Sequence, residues 1–148
     1  MPAEYVLDNS VILRAFLRER EGSDLAQQIL ALVITRDIEV AAPKNVVHEF
    51  CGALCKAFRQ RGKPVEEAIE AVRFFFSLPI IYVESPQLIE RAVELAFLHN
   101  KSFYDMYYFS VAESKGIPVC TADEKCVGGL GETFPCKYIL LEDFSYLP

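Results

Sequence analysis

The chain is short of positive charge: 15 Lys and Arg stand against 21 Asp and Glu, for a net charge of −6. That excludes a basic tail or an electropositive surface overall, and leaves room only for local basic faces. No apolar run approaches the roughly 18 residues of a membrane span. Met1-Pro2-Ala3-Glu4 places no basic region ahead of an apolar stretch, so the opening reads as that of a cytoplasmic chain rather than a secreted one. There is no CxxC pair, and the five cysteines are odd in number, which argues against a secreted disulfide framework and a zinc ribbon. A Gly-rich phosphate loop and a Gly-x-Ser-x-Gly nucleophile elbow are both missing. His48 and His99 have no nucleophile partner by motif, and a helix-surface or capping role suits each.

Apolar residues are abundant, at 52% with 12% aromatic, enough for a sizeable core and incompatible with intrinsic disorder. At 148 residues, without repeat or linker, the expectation is one domain over residues 1–148. Short apolar runs at Tyr5-Val6-Leu7, Ile38–Ala41, Ile80–Val83, Ile117–Cys120 and Tyr138–Leu141 read as strands. Helical spacing fills the gaps. Ser23 and Ser85-Pro86 mark helix starts, Pro43 suits the first turn of another, and Gly116 closes a helix running from about Ser102. Strands alternating with helices predict an α/β fold of three layers, α/β/α, around a mainly parallel central sheet. Cys51 and Cys55, four apart beside His48, read as buried thiols before they read as a zinc site. Cys126 and Cys136 are a possible disulfide pair only in a hyperthermophile.

Four acidic residues fit a structural role poorly. Asp8 leaves an apolar strand directly, in Val6-Leu7-Asp8-Asn9-Ser10, where it either caps the next helix or borders the crevice at the C-terminal edge of a parallel sheet. Asp123 repeats the pattern after Val119-Cys120-Thr121-Ala122, although a surface loop also suits a single Asp. Asp105 sits in the first turn of an aromatic helix, favoured there by the helix dipole, yet shares a face with Phe109 and Ala112. Glu49 lies inside the apolar stretch Val46-Val47-His48-Glu49-Phe50. Carboxylates gathered in one place repel unless a divalent cation neutralises them, and oxygen-only ligands suit Mg²⁺ or Mn²⁺.

In order and spacing, Leu7-Asp8-Asn9-Ser10, Glu49, Tyr104-Asp105-Met106-Tyr107-Tyr108, Gly116-Ile117-Pro118-Val119 and Thr121-Ala122-Asp123 resemble the PIN domain. Across essentially the whole chain the resemblance is to the small prokaryotic members, VapC-type toxins among them. It implies a Mg²⁺- or Mn²⁺-dependent ribonuclease in which Asp8, Glu49, Asp105 and Asp123 are the acidic quartet that holds metal and carries catalysis. Ser10 and Thr121 match hydroxyl positions beside that cluster, where they would orient a carboxylate or a water rather than attack. The implied chemistry is in-line hydrolysis of RNA, leaving 5′-phosphate and 3′-hydroxyl ends.

Two basic clusters, Arg14, Arg18 and Arg20, and Lys56, Arg59, Arg61 and Lys63, either track RNA phosphates or serve as solvated helix faces. Phe74-Phe75-Phe76 and Tyr104, Tyr107 and Tyr108 offer more apolar surface than one helix face buries easily. Core packing takes most of it, and the family resemblance implies a homodimer contact or an antitoxin groove for the remainder. The rival readings are a PIN-like RNA-processing nuclease without an antitoxin, a non-catalytic RNA- or protein-binding module, and a phosphatase. Asp8-Asn9-Ser10 lacks the second Asp that an aspartyl-phosphate chemistry would place two residues on.

Overall fold

The computed structural model describes residues 1–146. Five strands, β1 (Ala3–Leu7), β2 (Ile38–Pro43), β3 (Ile80–Val83), β4 (Val119–Thr121) and β5 (Tyr138–Leu140), form one sheet in the order β3-β2-β1-β4-β5. All four pairings are parallel, so the sheet is parallel throughout the described residues. Seven helices connect and cover it: α1 (Asn9–Ala15), α2 (Ser23–Ile34), α3 (Val46–Gln60), α4 (Val65–Ser77), α5 (Pro86–His99), α6 (Phe103–Lys115) and α7 (Glu124–Val127).

The strand order dictates the layers. From β1 to β2 to β3 the chain steps outward in one direction, and from β3 to β4 it crosses back over the whole half-sheet. Right-handed crossovers then put α1 to α4 on one face and α5 and α6 on the other. Aromatic contacts tie the first layer together, with the Phe16 and Phe50 rings 5.8 Å apart and Phe50 and Phe75 4.7 Å apart. On the other face, Met106, Phe109, Val111 and Ala112 of α6 are fully buried. Residues Val40 to Pro43 are buried without a break, as expected for a strand covered on both sides.

Local capping signals are realised at α5 and α6. The Ser85 hydroxyl accepts from the Leu88 N–H at 3.2 Å, the Ser102 hydroxyl from Asp105 N–H at 3.1 Å, and Gly116 closes α6 at φ +67°. Two expectations are corrected. Gly22, at φ +88° and pressed against Leu141, caps α2, while the buried Ser23 is the first helical residue and takes a contact from Gln27 Nε2. Pro43 ends β2 instead of opening α3: it pairs with Val83 beyond the last β1 contact, Val6 with Ala41, where its missing N–H has no strand to serve.

Among the thiols, the expected burial fails at Cys55. Cys51 is half-buried and Cys55 exposed, no third ligand joins them among the described residues, and Cys126 and Cys136 are both free. Of the surplus aromatics, Phe75, Tyr107 and Tyr108 belong to the core, while Phe76 and Tyr104 stay exposed. No described helix is long and apolar enough to cross a membrane.

Candidate active site

The sheet changes direction between β1 and β4, and in parallel sheets the crevice beyond the strand ends at such a point is where ligands bind. Leu7 pairs with Cys120, so the chain delivers Asp8 and Thr121 side by side at that edge, joined by a bond from the Asp8 N–H to the Cys120 carbonyl at 3.1 Å. Asp8 is buried, and both of its oxygens are held. Oδ1 accepts from the Ser10 N–H at 3.1 Å as the cap of α1, and Oδ2 from the Thr121 hydroxyl at 2.8 Å. The capping role and the crevice position are therefore the same fact.

Ser10 and Thr121 form one network behind this carboxylate. Their hydroxyls lie 3.3 Å apart, Ser10 Oγ accepts from the Ala122 N–H at 3.0 Å, and Thr121 Oγ1 accepts from the Asp123 N–H at 3.0 Å. The turn carrying Asp123 is thus fastened to the start of α1 through two hydroxyls. Asp123 itself caps the short helix α7, accepting from the Lys125 N–H at 2.9 Å. Thr121→Val keeps the shape of the side chain but strips Asp8 Oδ2 of its donor, so it should destabilise the fold by about 1–3 kcal/mol at pH 8; an unchanged Tm in scanning calorimetry would refute it.

Glu49 reaches the crevice from the first turn of α3. Its Oε1 accepts from Tyr108 OH at 2.9 Å and from Asn45 Nδ2 at 3.3 Å. Asp105 enters from the first turn of α6, half-buried, with Phe109 and Ala112 of the same face fully buried behind it. Three of the carboxylates are raised together. Burial pushes Asp8 up to about 6, eased by its Ser10 and Thr121 donors and reinforced by the Asp105 and Asp123 charges. Burial likewise lifts Glu49 to about 7 against the Tyr108 hydrogen bond, with Asp8 and Asp105 adding to the rise. Asp105 is raised by burial and by Asp123, and lowered by the Ser102 hydroxyl and Lys101.

Lys101 is the cation acting on Asp105, yet its ammonium donates to the carbonyls of Lys125 at 2.8 Å and Gly128 at 2.5 Å. An all-oxygen donor set of this kind fits a hard divalent cation. Buried Asn45 Oδ1, next to Glu49, has no donor and suits a water in such an ion's shell. Among the described residues no three His, Cys, Asp or Glu side chains close into a cage by themselves.

The basic residues divide. Arg14, Arg20 and Lys125 line a cleft of about 670 Å³ that includes Asp123, with Glu21, Glu124 and Glu142 interspersed. Arg18 lies elsewhere, on a groove of about 800 Å³ beside Phe16, Leu30, Ile34 and Phe74. In the second cluster Arg61 pairs with Glu19, and Lys63 pairs with Glu67 at 3.2 Å. Ten residues along α3 put Arg59 about 15 Å from Glu49, so this group serves the far end of the helix. Sequence reasoning missed Tyr108 and Asn45 as neighbours of Glu49. Tyr108 lies three residues after Asp105, a spacing that puts both on one helix face and was the available signal.

The strand order, with Asp8 and Thr121 at the switch point, defines a doubly wound parallel α/β domain. The PIN domain sequence profile matches residues 5–127, and the chain belongs to that family. Solved structures agree in fold. PAE2754 from Pyrobaculum aerophilum superposes with a TM-score of 0.64 at 23% identity, over 96% of this chain and 93% of the other. VapC20 from Mycobacterium tuberculosis, described as a sarcin-ricin loop cleaving toxin, gives 0.63 at 21% identity, over 85% and 96%. VapBC2 from Rickettsia felis, bound to a DNA fragment from its promoter, gives 0.66 at 15% identity, over 93% and 98%. No curated protein sequence is significantly similar to this chain.

Proposed function

We propose that this chain, residues 1–148 as one domain, is a Mg²⁺- or Mn²⁺-dependent endoribonuclease acting in the cytoplasm as the toxin of a toxin–antitoxin pair. The observation that carries the reading is that Asp8, buried at the switch point of a PIN domain fold, lies within electrostatic reach of Asp105 and Asp123, and Glu49 within reach of Asp8 and Asp105. The likeness to a toxin described as cleaving the sarcin-ricin loop supports RNA as substrate.

Asp8, Glu49, Asp105 and Asp123 would hold the ion, and Thr121 and Ser10 fix the orientation of Asp8. When bound, a Mg²⁺ or Mn²⁺ ion neutralises charge on phosphoryl oxygens and lowers the pKa of water for in-line attack. Arg14, Arg20 and Lys125 flank the Asp123 side of the crevice and give the RNA backbone its phosphate contacts, offsetting a net charge of −6. The test is a mixed-sequence RNA panel with purified protein in Mg²⁺, Mn²⁺ or EDTA. Cutting with either ion and none in EDTA is expected, with 5′-phosphate products. Cutting that persists in EDTA, or no cutting by a folded, inhibitor-free protein, would sink the reading.

Two surfaces suit the partners. The groove lined by Phe16, Leu30, Ile34 and Phe74, rimmed by Arg18, Lys63, Glu67 and Glu70, suits an amphipathic antitoxin helix. Ile89, Val93 and Phe97 form an exposed stripe on α5 that suits a second copy of the chain. Ala31→Arg in the groove should abolish antitoxin binding and leave the sedimentation of the chain alone unchanged. Phe97→Asp should do the reverse, turning a dimer into a monomer; a wild-type protein that already sediments as a monomer removes the second assignment.

A further inference from the structure

We infer that Tyr108 is the positioning residue that presents Glu49 to the crevice, by occupying one carboxylate oxygen and leaving the other for the ion. The inference rests on the metal-site reading above and concerns a residue outside the acidic quartet. Tyr108 is almost entirely buried, on the inner face of α6, and its ring is part of the core. Its hydroxyl nonetheless has a specific partner: it donates to Glu49 Oε1 at 2.9 Å, across 59 residues of sequence. A buried phenol usually finds such a partner. What distinguishes this one is that the partner is an acid of the candidate site.

The geometry at Glu49 is one-sided. Tyr108 OH and Asn45 Nδ2 both donate to Oε1, and among the described residues no donor bonds Oε2. A Glu side chain has three rotatable bonds and, in the first turn of α3, room to swing toward solvent. A donor anchored in the core stops that swing, because the Tyr108 ring is locked by packing and its oxygen has a fixed address.

Two alternative roles for the hydroxyl are weaker. As a proton donor to substrate it is too deep, lying behind Glu49 rather than in the open crevice. As a purely structural group it would be expected to meet a backbone carbonyl, as Ser110 Oγ does with Leu88 at 2.7 Å on the same helix. The neighbouring Tyr107 gives a control of equal size, since its hydroxyl bonds none of the four acids.

The experiment is Mn²⁺ binding to RNA-free protein, followed by the free-ion EPR signal, for wild type, Tyr108→Phe, Tyr107→Phe, Glu49→Gln and the Tyr108→Phe/Glu49→Gln double variant. Tyr108→Phe is expected to weaken Mn²⁺ binding about 5–20-fold, and Tyr107→Phe to leave it unchanged. In the Glu49→Gln background the Tyr108→Phe effect should vanish, because the phenol acts through that carboxylate. In cleavage assays the Tyr108→Phe loss should fall on kcat at fixed ion, with KM for RNA unaltered. If Tyr108→Phe does not fold, the wild-type protein still answers. The tyrosine Cζ NMR signal of Tyr108, and not that of Tyr107, should move as Mg²⁺ or Zn²⁺ is added.

Wild-type Mn²⁺ affinity in Tyr108→Phe, an undiminished Tyr108→Phe effect on top of Glu49→Gln, or a Tyr108 signal indifferent to Mg²⁺ would each overturn the inference. Failure of the underlying reading looks different: there, wild type and Glu49→Gln bind Mn²⁺ equally weakly.

Discussion

Asp8→Asn and Asp105→Asn should each lower RNA cleavage on the order of 10³-fold, the rate equivalent of about 4 kcal/mol of transition-state stabilisation. The two substitutions remove charge and almost nothing else. Asn has the shape of Asp, so the crevice keeps its outline, and only the electrostatic grip on the ion is lost. Asp8→Asn has the sharper consequence. The native carboxylate is buried and acts as acceptor for both the Ser10 N–H and the Thr121 hydroxyl. An amide keeps one of these bonds and escapes the cost of burying a charge.

The inactive variant should therefore melt no lower than the wild type in metal-free buffer above pH 7. An activity loss accompanied by equal or greater stability identifies a residue retained for chemistry at the expense of the fold. Cleavage by Asp8→Asn within tenfold of the wild-type rate would show that the quartet is not the catalytic centre. A variant that is both inactive and unfolded would assign Asp8 to capping alone.

That tension between site and fold explains which parts of the architecture could be read from the residues. Strand runs, helix starts at Ser85-Pro86 and near Ser102, and Gly116 as a helix stop carry their meaning within a few residues of chain, so local patterning revealed them. The four acids stood out for the opposite reason: each fitted its own element poorly, as Glu49 did between Val47 and Phe50. Pro43 and Ser23 misled because their roles depend on distant contacts, the end of the β1 pairing in one case and Leu141 against Gly22 in the other.

Aromatic identity was the least legible signal. Tyr104, Tyr107 and Tyr108 look equivalent in sequence, yet one is exposed, one is buried with its hydroxyl unpaired, and one holds Glu49. Nothing short of the α3–α6 contact separates them. The arginines divide for a related reason. α1 ends at Ala15, so helical periodicity no longer assigns a face to Arg18 and Arg20, and the turn sends them to different clefts.

Stability of the metal-free protein should fall as the pH rises from 5 to 8, and divalent ions should restore it most at the upper end. The sign follows from the raised carboxyls. Asp8 titrates at about 6 in the fold against 3.8 as a free side chain, so between those values the folded state holds more protons than the unfolded one. Stability is then full below about pH 4 with respect to this group and drops as the pH climbs through 6, by on the order of 3 kcal/mol. Glu49, lifted to about 7 and less deeply buried, extends the same trend toward neutrality with a smaller contribution. Of the Asp8 contribution, the part lost above pH 5 is about 1.4 kcal/mol, which for a chain of this size corresponds to a fall of about 3–6 °C in Tm between pH 5 and 8.

An ion at the cluster binds the deprotonated carboxylates, so Mg²⁺ or Mn²⁺ should raise Tm strongly at pH 8 and little at pH 5. Differential scanning calorimetry at both pH values, with EDTA and with each ion, reads all four conditions. Asp8→Asn should flatten the metal-free pH dependence and blunt the response to ions together. A wild-type Tm that does not change between pH 5 and 8 would mean that the acids are better solvated than their burial implies. An ion effect of equal size at both pH values would place the ion elsewhere on the protein. Both outcomes would detach the metal from the crevice, whereas a coupled response ties the destabilising charge of the folded chain to the ion that neutralises it.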